Sequence, residues 1–187
     1  MKTLFLRLLA LCICLTSTTA LMAQDPRTPI SSLPYTISMP GSYYLTANLT
    51  GSGQGITISA DNVTLDLNGF ALIGGGSGQA GINVSGAHKN ITIRNGTVRG
   101  WANGGVNAAN ATNSMVQGLR ISNNTAMSAF LNAGGLSIGA GSTVKDCVVT
   151  QNTNCHGIAA GRACLVTGCV VSGNSAAGIR ATDNCYI

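Results

Sequence analysis

A glycine followed by an aliphatic residue recurs at Gly55-Ile56, Gly81-Ile82, Gly105-Val106, Gly135-Leu136, Gly157-Ile158 and Gly178-Ile179. The intervals are 26, 24, 30, 22 and 21 residues, so one unit repeats with loops of unequal length. Each unit carries three short alternating pieces. The first follows the glycine, as in Ile56/Ile58, Ile82/Val84 and Leu136/Ile138. The second is Val63/Leu65, Ile91/Ile93, Ser114/Val116, Ser142/Val144, Cys164/Val166 and Cys185/Ile187. The third is Phe70/Leu72, Val98, Leu119/Ile121, Cys147/Val149 and Cys169/Val171. Alternation with period two puts such side chains on one face of a strand. Gly, Asn, Ser and Asp fill the joints, where left-handed backbone and side-chain-to-backbone hydrogen bonds are expected.

Strands this short are unstable alone. Three strands and three corners in roughly 22 residues make one coil of a parallel solenoid, and coils stacked about 4.8 Å apart pair each strand with its copies above and below. The inward residues then form ladders such as Leu119–Cys147–Cys169 and Ile121–Val149–Val171. Asn124, Asn152 and Asn174 fall at equivalent corners and are placed to bond amide to amide. A leucine-rich repeat has a similar period, but its leucine frame is absent. An antiparallel sandwich does not explain a glycine mark that returns only after three strands.

The stretches "NVTLDLNG", "NITIRNGTVRG" and the pair "CVVTQN"/"CVVSGN" resemble secreted bacterial right-handed parallel β-helix repeat proteins of the pectate-lyase-like superfamily. The resemblance spans residues 55–187. It implies an all-β, right-handed parallel β-helix of about six coils, with three short strands per coil. "LPYTISMPGSYYLTANLTG", within residues 24–54, is similar to the leading strands of such proteins and is expected to cap the first coil. The superfamily holds lyases, hydrolases, epimerases and adhesins, so the fold alone selects no function.

Residues 1–23 carry Lys2 and Arg7, an apolar run from Leu8 to Leu15, and a small-residue end at Ala23. This reads as a secretory signal peptide, with an uncleaved anchor as the alternative. The expected location is secreted, periplasmic or cell-surface, with no membrane span after cleavage. Beyond Ala23 there remain eight Lys/Arg and five Asp, a net charge of +3. Such scattered charge does not make a nucleic-acid face, but it suits an extracellular polysaccharide or cell-surface glycan. The chain ends at "NCYI", and Ile187 aligns with the mid-strand Val166. The repeat is therefore expected to continue in a longer protein; a complete chain would instead be expected to self-associate end to end.

Glycoside hydrolysis usually needs two carboxylates about 5–10 Å apart. The sequence has no Glu, and the four acids within the coils, Asp61, Asp66, Asp146 and Asp183, fall on separated coils or corners. The Asn-Thr-Asp, Asp-Asp, Gly-His-Gly and Arg-Ile-Lys series of the polygalacturonase branch is not matched by Cys155-His156-Gly157 and Thr182-Asp183. No catalytic residue, metal site or cofactor is expected. Cys147 with Cys169, and Cys164 with Cys185, stack within disulfide range. They are read either as disulfides of an exported protein or as reduced ladder residues. Arg94, Arg120 and Lys145 point outward and are read as contacts to a polyanionic glycan or as solubilising charges. Trp101 and Phe130 lie in consecutive loops, either stacking on sugar rings or folded down over the sheet. The expected role is thus an exported, non-catalytic scaffold that binds carbohydrate. The alternative is a fragment of a polysaccharide lyase or glycoside hydrolase whose active site lies outside this segment.

Overall fold

The protein is described by a computed structural model covering residues 25–126 and 134–187. The first strands of successive coils are Tyr35–Ile37, Ile56–Ile58, Ile82–Val84, Val106–Ala108, Gly134–Ile138, His156–Ala160 and Ile179–Ala181. They form one seven-stranded parallel sheet, so seven strands enclose six full turns. The register follows the glycine mark: Ile56 pairs with Ile82 and Ile58 with Val84, and Leu136 pairs with Ile158. The inward side chains stack into one continuous apolar core, with Ile56, Ile58, Ile82, Leu136 and Ile158 at zero exposure.

The remaining strands form an eleven-stranded parallel sheet that folds around the other side of the core. In most coils its two runs are separate, as in Thr143–Lys145 and Val148–Thr150. In two coils they fuse into Ile91–Arg99 and Met115–Ser122. The bend is then made inside the strand by one left-handed residue, Asn95 (φ 59°) or Gly118 (φ 62°). Ile121 pairs with Val98 and with Val149, and Val149 with Val171, as the inward ladder requires. Residues 35–51 already make a coil, because Tyr35 pairs with Ile56, Tyr43 with Leu65 and Leu49 with Leu72. Only Thr28–Ile30 lies beyond it, paired with Gly41–Leu45.

The corners divide the work between asparagine and glycine. At the corner before the second strand the left-handed residue is Asn62, Asn90, Asn113 or Asn184 in four coils, at φ of 48–59°, and Gly141 or Ala163 in two others; Asn tolerates this region better than most side chains. The six register glycines do not have left-handed backbone. They are glycine for space: a Cβ on Gly55 would lie 2.0 Å from the Gly81 carbonyl oxygen, and one on Gly135 would lie 2.5 Å from the Asn152 amide. That amide belongs to the expected ladder. Asn124 Nδ2 donates to Asn152 Oδ1 at 3.0 Å, and Asn152 Nδ2 to Asn174 Oδ1 at 2.9 Å, with Asn124 and Asn152 fully buried. A second, exposed ladder runs up another corner, from Asn113 to Asn90 to Asn62, at 2.7 Å per step.

Candidate functional site

The outward residues of the eleven-stranded sheet form a grid fixed by backbone pairing. One column runs Tyr44, Asp66, Arg94, Gln117, Lys145, Thr167. The next, across the bend, runs Ala71, Thr97, Arg120, Val148, Val170. A third holds Arg99 beside Ser122. Four cations therefore sit on three neighbouring coils. Arg94 and Lys145 are two coils apart, about 10 Å at the usual strand spacing.

The acids on this face leave a positive surplus. Asp66 faces outward but is only 6% exposed, because Arg94 and Arg27 cover it. Arg94 Nε donates to Asp66 Oδ2 at 3.0 Å, Arg27 Nη1 lies 3.6 Å from the same oxygen, and the Asn68 amide donates to Oδ1 at 2.8 Å. The Arg27 guanidinium also lies over the Tyr44 ring, 4.5 Å from its centre. Arg27 is itself paired with Asp25, Nη2 donating to Oδ2 at 2.6 Å, so Asp66 chiefly serves Arg94. Lys145 Nζ is 3.9 Å from Asp146, with both side chains about half exposed, a pairing that water largely screens. Arg99 and Arg120 are exposed and form no ion pair among the described residues.

Trp101 is not part of this face. Trp101 is 1% exposed, so it offers no ring to a sugar. Its indole N–H donates to the Leu72 carbonyl at 3.3 Å, and its backbone N–H to Asn124 Oδ1 at 3.0 Å. The ring fills a slot walled by glycines: a Cβ on Gly81 or Gly74 would come within 2.8 Å of it, and one on Gly51 within 3.2 Å. A flat ring can lie against the backbone there only because those Cβ atoms are missing. Phe130 lies outside the described residues.

Among the described residues, Cys147, Cys155, Cys164, Cys169 and Cys185 stand as unbridged thiols. Cys147, Cys164, Cys169 and Cys185 each bond through Sγ to the carbonyl two residues earlier. Ser114 and Ser142 do the same through their hydroxyls. The thiols therefore occupy a serine-like back-bonding site in the stack. Burial pushes the Cys147 thiol up to about 11 and raises Cys155 and Cys164 as well, which disfavours the reactive thiolate.

Sequence reasoning missed one polar pair. Asp61 Oδ1 is 2.9 Å from His88 Nδ1 and accepts the Lys89 amide at 3.2 Å. The hydrogen bond from His88, then that from Lys89, holds the Asp61 carboxyl below its ordinary value. Val84 to Ile91 is two residues longer than Ile58 to Val63, which carries His88 back to the preceding coil. Among the described residues, no group of three or more His, Cys or Asp is placed to hold a metal ion.

No curated protein and no solved structure matches the chain. A family model described as the right handed beta helix region matches residues 45–187. With its parallel coils in register over that same span, the chain belongs to the right-handed β-helix family.

Proposed function

We propose that this chain is an exported, non-catalytic β-helix that binds acidic polysaccharide across the outer face of its eleven-stranded sheet. The observation that carries the reading is the cluster of Arg94, Arg99, Arg120 and Lys145 on adjacent coils, only partly balanced by Asp66 and Asp146. Backbone pairing fixes the spacing of these cations along the sheet, so an extended polyanion meets a preset row of charges at little ordering cost. With Trp101 buried, recognition on this face is electrostatic and does not use that ring. The leader-like residues 1–23 support a destination at the cell surface or outside the cell.

The test is retention on immobilised acidic polysaccharide, compared with a neutral polymer. The wild-type chain is expected to be retained by the acidic support only. The variant Arg99→Ser/Arg120→Ser/Lys145→Ser is expected to elute early; it leaves the Arg27–Asp66–Arg94 cluster intact. Equal retention of variant and wild type would refute the assignment. Shortening of the polymer by the purified chain would favour the lyase or hydrolase alternative.

A further inference from the structure

Away from the basic face, the corner that follows the first strands varies in length. Ala108 to Ser114 spans one residue more than Ile58 to Val63, while Ile138 to Ser142 and Ala160 to Cys164 each span one fewer. Residues of the longer corner and of the coils that follow it line a recess of about 270 Å³. Asn110 walls it on one side and Arg162 and Thr182 on the other, over a floor that includes Ala159 and Gly161.

The floor is a local dip in two columns. One runs Thr57, Asn83, Asn107, Ser137, Ala159 and Arg180, and in the other Ser59 and Ser85 correspond to Gly139 and Gly161, with Thr182 next. Gly161 is held close: a Cβ there would lie 2.9 Å from the Ala140 amide nitrogen. The Arg162 backbone is fixed, its carbonyl accepting the Gly141 N–H at 2.9 Å. Its exposed guanidinium has no ion pair or hydrogen-bond partner among the described residues, and neighbouring Asp183 is not within ion-pair distance of it. The recess thus combines one uncompensated planar cation, an amide, a hydroxyl and a small apolar floor.

We propose that this recess binds a small hydroxylated carboxylate. Arg162 takes the carboxylate, a group its forked N–H donors match in shape. Thr182 and Asn110 take hydroxyls, each acting as donor or acceptor. The volume lies just below the usual range for ligand pockets, so the occupant is a single small molecule, not a polymer chain. This site is independent of the basic face.

The test is an NMR titration of the full chain with gluconate, with sorbitol as its uncharged counterpart and inorganic phosphate as a plain oxyanion. Gluconate is expected to saturate, with shifts centred on Asn110, Ala159, Gly161 and Thr182. Arg162→Gln, an exposed change that leaves the fold intact, is expected to weaken binding roughly tenfold or more, as loss of a charged hydrogen bond does. Sorbitol is expected not to saturate, and Arg120→Ser to have no effect. Absence of saturation, equal affinity in Arg162→Gln, shifts centred on Arg94 and Arg120, or saturation by phosphate in place of gluconate would each overturn the assignment.

Discussion

Replacing Trp101 by alanine removes the bulkiest of the fully buried side chains. A buried tryptophan withdraws roughly 200 Å² from water. At about 25 cal/mol per Å² that is on the order of 5 kcal/mol, and aromatic-to-alanine changes in cores typically cost about 3–5 kcal/mol. The slot cannot close easily, since its walls at Gly51, Gly74 and Gly81 are backbone already in hydrogen-bonded register with neighbouring coils. The Leu72 carbonyl also loses the indole N–H, worth roughly 1 kcal/mol. Trp101→Ala is therefore expected to destabilise the protein by about 4 kcal/mol or more in urea unfolding followed by far-UV circular dichroism. Trp101→Phe is expected to cost roughly half as much, because it keeps a ring but loses the N–H and leaves a gap. Trp101 is the sole tryptophan, so wild-type fluorescence reports directly on it: the emission should be blue-shifted and resistant to acrylamide. Water-like emission, together with a loss below about 0.5 kcal/mol as for an ordinary surface site, would refute the reasoning and return Trp101 to the surface.

Other perturbations separate buried from exposed features of the coil. Asn152→Ala takes the acceptor from the buried Asn124 backbone N–H, one of two acceptors from the Asn124 side-chain amide, and the amide donor from the Ile121 carbonyl, and is expected to cost about 2–4 kcal/mol. Asn113→Ala, in the exposed ladder, should stay within about 0.5 kcal/mol by the same unfolding assay. Because the Asp61 and Asp25 carboxyls are held below the ordinary value of 3.8, their contribution is present above that value and lost as pH falls through the lower folded values. Stability measured from pH 5 downward should therefore fall in the acid limb, and less steeply in Asp61→Asn. Native thiol labelling at about pH 8, mapped by mass spectrometry over the described residues, should spare Cys147, Cys155 and Cys164 and reach the half-buried Cys169 and Cys185.

The sequence revealed most where one residue type repeats at one position. The glycine mark fixed which residues pair, so the ladder Ile121–Val149–Val171, the asparagine ladder and the column from Asp66 to Lys145 could all be read before the fold was seen. What failed needed knowledge of several coils at once. The slot for Trp101 is made by glycines 20 to 50 residues earlier in the chain; the stretch "GGG" at 74–76 is its faint trace, but it reads equally as a flexible loop. The sequence shows the register glycines as a mark but not their cause, which is the packing of the next coil and of the asparagine amides. The Asp61–His88 pair and the Arg162 recess both come from one- and two-residue differences in corner length. Such differences are visible in the sequence, but their direction in space is not.

The most direct test of the proposal that this solenoid presents charge to an acidic polymer without cleaving it is one titration series of the purified chain with polygalacturonate and with dextran, at low and high salt, with polymer length measured before and after. Saturable binding to the acidic polymer is predicted. It should weaken several-fold as ionic strength rises from about 0.05 to 0.2 M, because exposed charges are screened over that range. It should be lost in Arg99→Ser/Arg120→Ser/Lys145→Ser, with polymer length unchanged. Salt-insensitive binding shared with dextran, or shortened polymer, would contradict the account.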